Sequence, residues 1–402
     1  MPEAPAPTLT RAQVLRYRVA AHQLDRDPGS LGGRWWDRVD VLGAGVQDTG
    51  ADAAAWALAL RGAPLDASAT PPELALAWTL RGAPHVYRRD DLVHVARAVA
   101  PFSEDDARTR VVSAGGPLTT AGVDVTDALV VVARAMREVV TGPTVKGEVS
   151  TALTPKLPEP YLRWCEGCGA THVYELTFRL AALHAGVELE PRTSPPVLVP
   201  VDPWPSDHLD GLAALVATPA EQRDVPRHLD PVRNHVHLHG PTRPGDVADH
   251  LGARARDVRE RWAALTEELV AVTVDGDERW ALAEDVEALA RAAGRTSGRS
   301  TRTRPLVRLL GPSDPYLQTK DRELLVPDAR ARRDLWRALG RPGAVLVDGD
   351  VVGTWRPRAT GARPRLRVEP WGPWDEALDA AVDVEAERLA AFRGQRYAGR
   401  AT

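Results

Sequence analysis

The sequence predicts an α+β, mostly α chain, with winged helix-turn-helix units in tandem followed by a small antiparallel β-barrel. Three observations carry the prediction. "GPTVKGEVSTAL", starting at Gly142, and "GPTRPGDVADHL", starting at Gly240, share the pattern G-P-T-x-x-G-(E/D)-V-x-x-x-L, so one helical unit is present twice. After the second copy, "ARDVRERWAALTEELV" reads as an amphipathic helix with Val258, Trp262, Leu265 and Leu269 on one side. "VAVTVDGDERWALA" then alternates around Asp275-Gly276, a hairpin signal, which completes a winged helix-turn-helix. Third, beyond about Gly294 helical periodicity gives way to short β-rich runs.

Taken in chain order, "TLTRAQVLRYRVAAHQL" and "PPELALAWTLRGAPHVYRRDDLVHVARAVA" read as helix-rich, with Thr10 and Asp90 as N-caps, and fit a third, less regular copy. In the two clear copies Thr144 and Thr242 are expected to cap a helix. Glu148 and Asp246 sit in its first turn, where the helix dipole favours an acid. A second helix through "ATHVYELTFRLAALHAG" and strands in "VELEPRTSPPVLVPV" complete the earlier copy. "GRTSGRSTRTRP" from Gly294 is a linker, and "LVRLL", "AVLVDGDVVGTW" and "PRLRVEPW" are strands, with a turn at Asp348-Gly349. The helix "DEALDAAVDVEAERLAAF" closes the segment.

Composition narrows the class. The 402 residues favour several modules over one core, and 44% hydrophobic with 26% charged residues is that of an ordinary globular protein. No apolar run long enough for a membrane span occurs, and "MPEAPAPTLTRAQVL" lacks the apolar stretch of a signal peptide, so a cytoplasmic location is expected. Between Arg291 and Glu369 there are 18 Lys+Arg against 8 Asp+Glu, in a chain whose net charge is −4. One basic module on an acidic protein is the footprint of a phosphate-binding surface.

Three stretches carry a family resemblance. "WTLRGAPHVYRRDDL" (Trp78 to Leu92), "GPSDPYLQTKDRELLVPD" (Gly311 to Asp328) and "VLVDGDVVGTW" (Val345 to Trp355), in this order, resemble bacterial tandem winged-helix proteins. These include the AlkZ-like glycosylases that unhook DNA interstrand crosslinks. The resemblance runs from about residue 10 to 390 and implies three tandem winged-helix motifs and a C-terminal β-barrel around a DNA-binding concavity. The corresponding divisions are 1–122 with the N-terminal helices, 123–203, 204–293, and 294–402 for the basic barrel with its helix. It also implies double-stranded DNA as partner and excision of N-alkylated purines without metal or organic cofactor. A monomer is expected. The alternative is a non-enzymatic DNA-binding protein or regulator.

An alkylated purine already carries positive charge, so it leaves without a strong acid; the remaining task is to steady an oxocarbenium-like sugar and hold a water. In the family this falls to a Gln-x-Gln or Gln-x-Asp motif ahead of an apolar helix ending in Arg. The matching stretch here is "GVQDTGADAAAWALALRG", ending at Arg61. If Gln47 is the second motif residue, Gly45 replaces the first. Alternatively Gln47 holds the water and Asp48 or Thr49 supplies the second group, which for Thr49 requires an extended backbone. Gln47 and Asp48 are the catalytic candidates, and Asp48 or Thr49 could instead cap the helix that follows.

For DNA contact the resemblance and residue chemistry point to Arg61, Arg81, His85, Tyr316, Lys320, Arg322 and Arg356, with Tyr316 alternatively a core residue. Cys165, Cys168 and His172 have C-x-x-C-x-x-x-H spacing, three zinc ligands without an evident fourth; reduced thiols and no metal are expected. His235, His237 and His239 read as the end of a surface helix.

Overall fold

The repeated G-P-T segments start by pairing with a hairpin strand, not as capped helices. In a computed structural model of the chain, which describes residues 7–219, 222–293, 305–358 and 363–401, one topology recurs. A short extended segment pairs antiparallel with the second strand of a later hairpin, and a helix follows that segment.

The chain begins with β1 (Thr8–Leu9) and α1 (Arg11–Ala21), which Thr10 and Gln13 cap reciprocally as expected. The first occurrence of the recurring topology is α2 (Val41–Ala44), β2 (Val46–Gln47), α3 (Ala53–Ala59), β3 (Leu74–Trp78), β4 (Pro84–Arg88) and α4 (Leu92–Val99), with β2 paired to β4. Thus "LALAW" and "PHVYR", expected to be helical, are strands. They lie inside a six-stranded sheet of order β2-β4-β3, then Val187–Leu189, Val197–Pro200 and Thr144–Val145, where Ala75, Leu76, Ala77 and Trp78 are all buried. Burial on both faces erases the alternation that would have marked a strand. Asp90 makes no side-chain cap; it lies in a 3₁₀ turn, Arg89–Asp91, before α4.

After α5 (Glu104–Arg110), α6 (Gly115–Thr120) and α7 (Val125–Val139) comes the second occurrence. It consists of β5 (Thr144–Val145), α8 (Lys146–Leu153), β6 (Leu162–Cys165), β7 (Ala170–Val173), α9 (Glu175–His184), β8 (Val187–Leu189) and β9 (Val197–Pro200). Thr144 pairs with Leu198 of β9. "ATHV" is a strand of the β6–β7 hairpin, so the second helix of this copy begins only at Glu175.

The third follows α10 (Leu212–Ala217) and α11 (Pro231–His239): α12 (Pro244–Leu251), α13 (Ala255–Ala264), β10 (Leu269–Val274), β11 (Asp277–Leu282) and α14 (Val286–Ala293). Here Thr242 exchanges backbone hydrogen bonds with Trp280 of β11, 2.9 Å each way. In both clear copies Thr therefore gives its backbone to the hairpin rather than its hydroxyl to the helix. The apolar positions fall where the pattern places them: Val149, Leu153, Val247 and Leu251 are buried, each side chain contributing about 1.5–3 kcal/mol. Asp275 (φ +48°) and Gly276 (φ +93°) form the expected two-residue turn.

Among the described residues the C-terminal segment is an open sheet, not a closed barrel. β12 (Val307–Leu310), α15 (Arg322–Leu325), α16 (Ala329–Leu335), β13 (Gly343–Val347), β14 (Asp350–Pro357), β15 (Leu366–Pro370) and α17 (Glu376–Phe392) follow in order, and the four strands pair β12-β13-β14-β15. So few strands do not close around packed side chains, and α17 instead supplies Val382, Ala386, Leu389 and Phe392 to the apolar cluster of the sheet. The same cluster takes Leu15 and Val19 from α1 and Trp56 and Ala59 from α3, with the Trp56 indole N–H donating to the Leu309 carbonyl at 2.8 Å. The linker expected from Gly294 falls almost wholly outside the described residues.

Candidate active site

Gln47 is positioned by the strand that carries it. β2 pairs with β4 in the register Val46↔Val86 and Gln47↔His85. Side chains alternate along strands, so Gln47, His85 and Tyr87 share one face while Asp48 takes the other. Gln47, His85 and Tyr87 accordingly line one cavity of about 40 Å³, whose wall also includes Arg81, His235 and His250. Asp48 lines a separate hollow with Ala54 and Leu58.

Asp48 is thus a helix-capping residue. Its Oδ1 accepts the free N–H of Ala54, in the first turn of α3, at 2.9 Å. Burial pushes its carboxyl pKa up. The structure does not bring it beside Gln47.

Gly45 is held by its neighbour across the sheet. Its φ is +84°, and a Cβ there would lie 2.4 Å from the Tyr87 hydroxyl oxygen, so no side chain fits. The backbone beyond is extended, which leaves Gln47 and Thr49 on one face. The Gln47 Nε2 donates to Thr49 Oγ1 at 2.8 Å. With Nε2 so engaged, Oε1 is the atom turned to accept from a third group.

His85 is buried, and its Nδ1 lies 2.9 Å from the Ala83 carbonyl and 3.0 Å from Thr79 Oγ1. A carbonyl only accepts, so Nδ1 carries the proton and Nε2 offers a lone pair. Burial, aided by the Arg81 charge, lowers its pKa to about 3, so the ring is neutral at physiological pH. The Tyr87 hydroxyl completes the network 3.0 Å from Thr79 Oγ1.

Cations gather beside this cavity. Arg81, Lys320, Arg322 and Arg341 repel one another, and none has a carboxylate within ion-pair distance among the described residues. Burial, then Arg81 and Arg322, lower the Lys320 pKa to about 8. Arg322 stacks over Trp336, 5.0 Å from the ring centre, and Arg81 donates to the His250 carbonyl from a left-handed backbone (φ +57°). Uncompensated positive charge of this kind is what an anionic backbone neutralises. Arg341 adds to the cluster a residue that sequence reasoning counted only within the basic segment.

Other candidates sit elsewhere. Arg61, expected on DNA, is fully buried and doubly hydrogen-bonded to the equally buried Asp314 at 2.8 and 3.0 Å. It ties α3 to the C-terminal segment and has no access to phosphate. Tyr316, also expected on DNA, is core: 2% exposed, with its hydroxyl donating to the Gly349 carbonyl at 2.8 Å. Arg356 donates to the carbonyl of Gly340, the residue before Arg341, and lies 3.9 Å from the Asp334 carboxylate.

The surface-helix expectation fails for His235 and His239. They are four residues apart on α11, buried, and face His250 across the cavity; the i, i+4 spacing was the signal. Their donor nitrogens and that of His250 lie within 4.8 Å of one another. Burial first, and then neighbouring rings and cations including Arg18, Lys320 and Arg81, keep them uncharged. The same cations oppose a divalent ion there. His237, on the opposite side, meets Asp285 at 3.0 Å.

Fold and family model define a class: an α+β protein with an amide on the wall of a cation-flanked hollow, of the AlkZ-like DNA glycosylase kind. A model of that family, described as DNA glycosylase AlkZ-like, matches residues 39–392, and the chain belongs to it. A solved structure, Streptomyces sahachiroi DNA glycosylase AlkZ, superposes with a TM-score of 0.67 at 20% identity, covering 98% of this chain and 99% of that one. The two share a fold. No curated protein matches the chain in sequence. Among the described residues no helix is long and apolar enough to cross a membrane.

Proposed function

We propose that the chain is a monofunctional DNA glycosylase of the cytoplasm. It hydrolyses the N-glycosidic bond of alkylated or crosslinked purines in double-stranded DNA and acts as a monomer. Gln47 and Thr49 are the water-holding pair, with Arg81, Lys320, Arg322 and Arg341 on phosphate. The recurring strand-helix-hairpin topology is read as three winged-helix motifs, divided at about residues 122, 203 and 293. The single observation carrying this reading is the extended Gln47, fixed by Thr49 with its Oε1 free, at the cavity between the cation cluster and His85.

In the reaction the C1′–N bond breaks and its electron pair neutralises the positive base. Gln47 Oε1 accepts a hydrogen bond from the water that forms the new C1′–O bond, and the proton passes to solvent. An amide cannot take that proton, so the mechanism depends on a leaving group already charged. His85 Nε2 offers a second acceptor on the same face.

One feature favours the non-enzymatic reading: with Asp48 turned away, no carboxylate among the described residues lines the Gln47 cavity. Duplex DNA containing N7-methylguanine or a nitrogen-mustard crosslink separates the two. The glycosylase reading expects abasic sites, with the rate falling about 100-fold in Gln47→Ala. It expects Asp48→Ala to keep the rate per folded molecule while costing about 1 kcal/mol of stability. Tight binding without base release by the wild-type protein sinks the enzymatic reading; release that survives Gln47→Ala sinks the site.

A further inference from the structure

The β6–β7 hairpin stands apart from the other sheets, inserted between α8 and α9. Two strands alone are marginal in water, and none of Leu162, Arg163, Trp164 or Cys165 is buried; Trp164 is 58% exposed. Val173 is buried and Leu162 packs against the same core, so burial anchors the base of the hairpin, whereas none of residues 163–172 is buried and the tip has no apolar cover.

Its register supplies another reason. Cys165 opposes Ala170 and Arg163 opposes His172. Residues opposite one another share a face, as do residues two apart, so Cys165 and His172 are diagonal neighbours on one face. The turn Glu166–Gly169 closes with Gly169 at φ +58°, and the Cys168 amide reaches the Cys165 carbonyl at 3.2 Å, bringing the second thiol back toward the first. Backbone amides of Gly167 and Cys168 also point at the Cys165 sulfur. The three donor atoms lie within 4.8 Å of one another, and His172 Nδ1 is 3.4 Å from the Ser150 hydroxyl of α8.

We propose that Cys165, Cys168 and His172 form a zinc-binding knuckle that pins the β6–β7 hairpin. Two thiolates and an imidazole are the donor set zinc prefers, and donors around tetrahedral zinc are about 3.5 Å apart, so side-chain rotations of about 1 Å close the tripod. Amides aimed at sulfur stabilise the thiolate, and Ser150 orients the imidazole from outside the ligand set. Cys168 is exposed and nothing crowds Gly167 or Gly169, so the fourth position opens to solvent and takes water. The site is distant in kind from the His235, His239 and His250 group, where cations oppose a metal, and it is independent of the glycosylase reading.

The test uses the full-length chain, reduced, loaded with zinc and dialysed against metal-free buffer. The expected result is about one zinc per chain in the wild type and in His235→Ala/His239→Ala. Cys165→Ser/Cys168→Ser, in which neither replaced side chain is buried, should keep the fold by circular dichroism and hold at least about tenfold less. Cobalt substitution should show a thiolate-to-metal charge-transfer band that the cysteine variant lacks, and zinc should slow hydrogen exchange in residues 162–173. Wild-type protein without zinc, or zinc retained in the cysteine variant, overturns the proposal.

Discussion

At the scale of single residues, Gly45 and Tyr87 set the register of everything beyond them. Gly45→Ala meets both a left-handed φ and a ring 2.4 Å from the new Cβ. A loss of about 2 kcal/mol or more is expected, read as a lower thermal midpoint, and Tyr87→Phe should not restore it because the ring carbon Cζ is itself 2.5 Å away. The residue types of the site were legible in "GVQDT", but not their directions. Asp48 and Thr49 are equally good caps on paper, and only the pairing of β2 with β4 sends Asp48 to α3 and Thr49 to Gln47. Tyr316 and Arg61 show the converse limit: an aromatic or a cation suited to DNA is equally suited to burial once a carbonyl or carboxylate awaits it.

At the scale of elements, α3 and the cation cluster can be tested separately. Arg61→Met leaves Asp314 buried and unpaired, and a loss of about 3–5 kcal/mol is expected. Adding Asp314→Asn, which keeps the acceptor for the Tyr316 amide, should recover much of it in denaturant unfolding. For Lys320 the expectation is a pH effect on DNA affinity. Its pKa near 8 lies below the ordinary value of 10.5, so the free protein loses this charge as pH rises through 8. Affinity should fall between pH 7 and 9, and Lys320→Arg, which stays charged, should flatten the profile. Hairpins announced by Asp-Gly turns were readable at both Asp275 and Asp348, because φ above zero at two positions demands those residues. The Thr segments were not, since a threonine before a helix looks the same whether it caps or pairs.

Across the whole molecule, buried neutral histidines set the response to acid. His22, His85, His184, His208, His235, His239 and His250 all have pKa values lowered chiefly by burial, while His237 is raised by Asp285. Below about pH 6.5 the unfolded chain binds protons that these folded rings refuse, so stability is lost as pH falls from 6.5 toward their folded values. The net slope should exceed about 1.4 kcal/mol per pH unit, that of one proton. Urea midpoints measured at pH 7.5 and 5.5 check this; equal midpoints would refute it.

The contact of α1 and α3 with the C-terminal sheet also has a consequence for the order of synthesis. The Gln47 strand leads into a helix whose inner side rests on Leu309 and on α17, near the far end of the chain. A ribosome that has released the first hundred residues has therefore released no finished hollow. The hollow is complete only once Pro315 and Gln318 of its wall have emerged, and until then its earlier parts wait on a surface that does not yet exist.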